Sequence, residues 1–267
     1  MIRKCFTVNP NRKKEEIDDF SKVLKNGTYV GCEFFYPYNK TEEEKLCYLN
    51  SIKEYLKYDI EFVCHLPYGK LNNLATYDNI EEVLHRLKDA IDFASNMPVT
   101  KLTLHPGELD GTLTKEEAIK VASKHIKELC IYAKKYNMII MLENLVGKHE
   151  LMKTPEEYIE LKTLIDEDNV KFIFDVAHYH SSYADKIYNK SIVNVIKTLK
   201  DDLYHLHISD NDGTRDSHSK IGEGNIDFKE YFNCLREIEY QGLLSSEVLF
   251  NTSEELMATS DKIDTYQ

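Results

Sequence analysis

Seven residues able to ligate a first-row metal ion close seven apolar runs of this chain at a near-constant interval. Glu33, His65, His105, Glu143, Asp175, His207 and Glu247 are separated by 32, 40, 38, 32, 32 and 40 residues. Carboxylate and imidazole donors without thiolates suit Zn, Mn, Fe or Co rather than a structural zinc knot. Three more candidates lie nearby: His178, three residues after Asp175 in FDVAH, and the pair Asp216 and His218 in DGTRDSHSKIGEG. With Glu33 set aside, the group holds five His, two Asp and two Glu. That exceeds the three or four protein ligands of one ion and suits two or three ions sharing bridging carboxylates. Between one and three ions per chain are therefore expected. Any one of these residues alone reads more simply as a hydrogen-bonded core histidine or a carboxylate capping the next helix. Ionisable groups are seldom buried without a partner or a metal, so seven converging on one face point to a metal site.

What must bring them together is a set of strands. EFVCH ends at His65, KLTLH at His105, MIIMLE at Glu143, VKFIFD at Asp175, DLYHLH at His207 and LLSSE at Glu247, with Glu33 at the end of strand two in GCEFF. Arg3 to Val8 supplies the eighth strand. Between the strands, charged and apolar residues alternate with helical periodicity over Lys13 to Leu24, Glu42 to Leu56, Ile80 to Ala94, Lys115 to Tyr136, Pro155 to Leu164, Ile192 to Leu199 and Phe228 to Ile238. Thr114 with Glu117, and Thr154 with Pro155 and Glu157, are helix-start signals. Eight units in 267 residues give about 33 each. The expected fold is α/β: a single (β/α)8 TIM barrel over residues 1–267, with the metal site at the C-terminal face of the strands, where active sites of that fold lie.

Composition bounds the setting. No run is long enough to span a membrane, no apolar leader opens the chain and no Pro/Gly/Ser-rich linker divides it, so one soluble domain is expected. The six cysteines form no CxxC pair and read as reduced core residues of a cytoplasmic protein. A net charge of −12, with five arginines and no basic stripe, makes nucleic acid an unlikely partner, because a polyanion meets a repulsive field.

The motifs HLPY at His65, LHPGEL at His105, LEN at Glu143, FDVAH at Asp175, HLHISDNDG, DSHSKIGEGNIDF and SEVL at Glu247 resemble the xylose isomerase-like TIM barrels. That superfamily contains sugar phosphate isomerases and epimerases and endonuclease IV, and the resemblance runs from about residue 30 to 250. On the endonuclease side it implies three zinc ions on nine ligands, for each of which a residue of matching type is present: His65, His105, Glu143, Asp175, His178, His207, Asp216, His218 and Glu247. Tyr68 takes the place of the tyrosine that helps open duplex DNA. The GAHVS-type first strand of that nuclease is absent, and RKCFTVNPN stands instead. On the isomerase side the resemblance implies one Mn, Co, Mg or Zn ion on Glu143, Asp175, His207 and Glu247, with Glu143 and Glu247 as the acid and base that move a proton through an enediolate. Glu33 is a residue that this branch often has.

Glu33, the charge and the missing first-strand signature favour a small polar substrate, a sugar or sugar phosphate. Glu33, Tyr68, Asn144 and Arg215 are the expected substrate contacts, with Arg215 placed to meet a phosphate; Asp210 and Asp212 are further strand-end candidates. The GEG glycines at Gly222 and Gly224 are read as permitting a tight turn. His85, His125 and His149 are read as surface or helix residues, His180 stays open, and His205 is expected to face the helices.

Overall fold

The structure, a computed structural model, describes residues 2–181 and 190–267. Eight parallel strands close on themselves: β1 (Arg3–Val8), β2 (Gly31–Phe35), β3 (Glu61–His65), β4 (Val99–Leu104), β5 (Ile139–Glu143), β6 (Val170–Asp175), β7 (Leu203–Ile208) and β8 (Leu243–Ser246), with β8 paired to β1. The helices between and after them are α1 (Lys14–Lys25), α2 (Glu42–Lys53), α3 (Ile80–Ala94), α4 (Lys115–Ala133), α5 (Pro155–Ile165), α6 (Val176–His180), α7 (Ile192–Leu199), α8 (Phe228–Glu237) and α9 (Ser253–Asp264). The (β/α)8 barrel read from the sequence is the fold observed.

Local chemistry starts the helices where the sequence signals them. Thr41 and Thr114 accept from the backbone N–H of Glu44 and Glu117, whose carboxylates accept from the cap residues' own N–H groups, so both ends of each capping box are made. Pro155 occupies the first turn of α5 behind the Thr154 cap. The helical readings Glu42 to Leu56 and Lys115 to Tyr136 each finish as a turn of 3₁₀-helix, Glu54–Lys57 and Lys134–Tyr136. Among the described residues two α-helices went unread: the five-residue α6, which overlaps the FDVAH motif, and α9 after the last strand.

The barrel interior is layered. Cys5, Val63, Met141, Ile173 and Leu243 form a small apolar cluster apart from the main core, which fills the space between sheet and helices. Above that plug the inward positions turn polar, two residues further along each strand, because side chains of a strand alternate between faces. Thr103, His205 and Ser245 make the next layer with Glu33, which stands in the middle of β2 rather than at its end. The metal-capable residues make the mouth layer.

Five of the six cysteines are buried and all are free thiols, but Cys47 on α2 is exposed and is not the core residue its helical position suggested. No described helix is long and apolar enough to cross a membrane.

Candidate metal centre

Glu143, the last residue of β5, is the hub of the mouth. Its Oε2 lies 3.1 Å from His105 Nε2 and 3.5 Å from His65 Nε2; its Oε1 lies 3.1 Å from His207 Nδ1 and 3.3 Å from His178 Nδ1. Glu247, one residue beyond β8, places Oε1 3.4 Å from His207 Nδ1. Asp216 Oδ2 is 3.0 Å from His218 Nε2 and 3.4 Å from His178 Nε2. The donors fall into three mouth groups, each with its members' ligand atoms within 4.8 Å of one another: His65, His105 and Glu143; Glu143, Asp175, His207 and Glu247; and His178, Asp216 and His218. Donors about 2.0–2.2 Å from a shared ion are at most about 4.4 Å apart, so each group needs to contract by only a few tenths of an ångström to close on one. Glu143 belongs to two groups, as a bridging carboxylate would.

One ring nitrogen of each imidazole is fixed by a neighbour, and in His178 that nitrogen also lies near Glu143. His65 Nδ1 is 2.8 Å from the Leu66 carbonyl, His178 Nδ1 3.0 Å from that of Asn144, and His218 Nδ1 3.0 Å from that of Glu247. A carbonyl only accepts, so each Nδ1 carries a hydrogen, and in the neutral ring Nε2 keeps the lone pair that an ion would use. His207 is turned the other way, with Nε2 2.9 Å from Glu33 Oε2 and Nδ1 facing the mouth. This outer support is what orients metal-binding histidines.

A divalent ion also fits the polar atoms that nothing else satisfies. Asp175 Oδ2 and Asp216 Oδ1 are buried without a hydrogen-bond partner, whereas buried carboxylate oxygens ordinarily have one. Four carboxylates, Glu143, Asp175, Asp216 and Glu247, crowd the mouth, the first two of them buried. The electrostatics of the donors among themselves show the strain of that crowding. Burial, aided by Glu143 and Asp175 and opposed by His207 and His218, pushes the Glu247 carboxyl up to about 7. Burial would also raise Glu143, but the imidazoles of His207 and His105 hold it well below the usual range. His207 and His178 are raised despite burial by the carboxylates around them, and His218 is raised to about 9, mainly through Asp216. Without an ion, protons on histidine take over the balancing of the carboxylates.

The mouth opens into a cavity of about 350 Å³ bordered by Phe35, Tyr68, Leu145, Val248 and Leu249 above the donors. Tyr68 is half exposed and its ring stacks on His105 with centroids 4.7 Å apart, so it can lie against a ligand. Of the other expected substrate contacts, three are placed elsewhere. Glu33 is fully buried beneath His207 and accepts from Thr103, His205, His207 and Ser245, so it holds His207 in place rather than reaching the cavity. Asn144 is spent on a clamp between β5 and β6: its amide donates to the Asp175 carbonyl and its oxygen accepts the Asp175 N–H. Arg215 is exposed and does not border the cavity.

His205 is also corrected. Residues two apart in a strand share a face, so His205 points into the barrel with His207, one layer lower, and its Nε2 lies 3.0 Å from Glu33 Oε2. Asp210 is loop structure, and so is the GEG turn it holds. His125 is a buried residue of α4 whose Nδ1 meets the Leu74 carbonyl; His85 is exposed beside Asp89; His149 is exposed; His180 pairs with Asn225. Phe35, stacked on His65 at 4.5 Å, was missed, although it stands two residues after Glu33 and so on the same face.

A family model described as xylose isomerase-like TIM barrel matches residues 20–262. The chain belongs to that family. Its relatives bear the names of an endonuclease, an epimerase and an isomerase among others. It is 30% identical over 190 residues to "Probable endonuclease 4" of Acholeplasma laidlawii, and 26% identical over 170 residues to fructoselysine 3-epimerase of Shigella flexneri. These matches cover 62% and 63% of this chain and 59% of each relative. A solved D-tagatose 3-epimerase-like protein superposes with a TM-score of 0.76 at 22% identity, over 98% of this chain and 97% of that one, a likeness of fold.

Proposed function

We propose that this protein is a divalent-metal-dependent isomerase or epimerase of a sugar or sugar phosphate. The observation that carries the reading is the group Glu143, Asp175, His207 and Glu247, whose two glutamates border a small cavity. An ion held there would polarise adjacent substrate oxygens and so acidify the neighbouring C–H. Glu143 and Glu247, carried on β5 and just beyond β8, are the groups that take and return the proton, and a pair reaching the substrate from two sides is what inversion or transfer between neighbouring carbons needs. At about 350 Å³ the cavity lies near the small end of ligand pockets, which suits a small molecule. The similarity to a sugar-acting epimerase supports the same reading.

A second reading, hydrolysis of a phosphodiester, draws support from the nine donors forming three groups, two of which share Glu143. Charge separates the two. Four mouth carboxylates with one divalent ion leave the site net negative, which favours a neutral sugar; with three ions it becomes net positive, which favours an anionic phosphate ester, a sugar phosphate or a phosphodiester. Beyond the donors, the one Lys or Arg bordering the cavity among the described residues is Arg12, and its guanidinium is engaged by the Phe250 carbonyl and Asn251. We expect cleavage of an abasic-site duplex at physiological salt to be absent or very slow, since no clustered cations release counterions from DNA. Incision at the rate of a dedicated repair enzyme would reverse the order of the two readings.

The test of the first is incubation with ketoses and ketose phosphates in deuterated water, reading product and label by NMR. Epimer or isomer carrying deuterium at the reacting carbon is expected; no turnover of any of them with Mn, Co, Mg or Zn present would count against it. On the sugar so found, Tyr68→Ala should raise KM about 2- to 10-fold with kcat less affected, the worth of one aromatic contact of about 0.5–1.5 kcal/mol. An unchanged KM would remove Tyr68 from the substrate wall.

A further inference from the structure

The loop between β7 and α8 carries Asp216 and His218, two of the three donors of the outer group, and must hold them against His178 of α6. We propose that Asp210 is the positioning residue of this outer ion site: its carboxylate pins the loop, so that the outer position is assembled or lost as a unit while the four-donor group is spared. This rests on the reading that the outer group holds an ion.

Asp210 is 1% exposed. Its Oδ2 accepts from the backbone N–H of Gly222 at 2.8 Å and Gly224 at 2.9 Å, and its Oδ1 from those of Asn211 at 2.9 Å and Ile226 at 3.4 Å. Those four donors use the acceptor capacity of a carboxylate and draw both ends of the loop onto one side chain. The backbones of Asp210 and Ser219 exchange two hydrogen bonds, at 3.0 and 2.9 Å, which fixes the residue next to His218. Asn211 completes the frame by donating to the Ala177 carbonyl in α6 at 2.9 Å, tying the loop to the helix that carries His178. Gly224 is packed so closely that an added Cβ would lie 2.2 Å from the Asn211 carbonyl oxygen and 2.3 Å from Asp210 Oδ1. His218 itself adopts φ +45°, a left-handed conformation that a loop this well held can impose. Asp210 does not border the cavity, so its effect runs through the loop alone.

The experiment equilibrates full-length protein with buffered zinc and counts bound zinc by mass spectrometry, for wild type, Asp210→Asn, Gly224→Ala and His218→Ala. An amide has one carbonyl oxygen and turns its NH₂ donors toward N–H donors, so Asp210→Asn breaks the pin with almost no change of volume. Expected is the loss of one zinc equivalent, or its binding at least about tenfold more weakly, in Asp210→Asn, as orienting partners of ligands typically contribute 10- to 100-fold. Gly224→Ala should do the same, with the other zinc retained in both. Adding Asp210→Asn to His218→Ala should cost no further zinc, and the Gly222 and Gly224 amides should lose hydrogen-exchange protection in Asp210→Asn. Wild-type stoichiometry and affinity in Asp210→Asn would overturn the proposal, and loss of every ion in both pin variants would make Asp210 a residue of the general fold instead. Identical zinc content in wild type and His218→Ala would sink the ion reading of the outer group itself, and with it the pin.

Discussion

Glu143→Gln and Glu247→Gln are each expected to lower turnover by about 10²- to 10⁴-fold, the range that positioned acids and bases contribute. A glutamine keeps an oxygen that an ion can use but accepts no proton at neutral pH, so the loss should appear even where metal analysis finds ions retained. The two variants should differ in ion content. Glu143 serves two groups and touches four imidazoles, so its glutamine form should also weaken binding near His65 and His105, whereas Glu247 serves one group. Steady-state kinetics on the sugar turned over by the wild type, beside metal content, decides this. Near-normal kcat in either variant would remove that residue as a proton carrier.

Removal of the ions is expected to cost a large part of the protein's stability. The mouth gathers four carboxylates, two of them fully buried, whose mutual repulsion an ion relieves, and ions present at about 1,000 times their dissociation constant add about 4 kcal/mol to the folded state. For a chain of this size that corresponds to a fall in Tm of roughly 8–16 °C on chelation, taking about 2–4 °C per kcal/mol. Differential scanning calorimetry with and without chelator, followed by readdition of each metal, measures it. A Tm unmoved by chelation of protein shown to contain ions would mean that the donors do not depend on them.

The barrel and the convergence of the mouth were legible because both follow from periodicity. Runs of parallel strand recur at the length of one βα unit, and a residue at the end of such a run has only one face of the barrel to reach. The inner layers were harder to read. Glu33 lies mid-strand, and nothing in GCEFF alone distinguishes a carboxylate at the rim from one a layer down; the strand register decides it. His205 follows from the same period of two that places His207, once that period is applied to both. The role of Asn144 depends on β6 arriving alongside β5, a contact between residues 31 apart in the chain. Arg215 was read from loop chemistry, and where an exposed loop points is set by its pins, Asp210 and Asn211, rather than by its own residues. The α9 helix escaped because it follows the last metal-capable strand end and so lies outside the repeat that organised the rest.

One measurement bears most directly on the account: metal analysis of protein purified without a metal-affinity tag, joined to anomalous scattering from its crystals. The expected result is at least one divalent ion bonded to Glu143, Asp175, His207 and Glu247, with any second ion shared through Glu143 toward His65 and His105. Protein that takes up no ion at these four residues under saturating Zn, Mn, Co or Mg, or that binds its ions elsewhere, would contradict it.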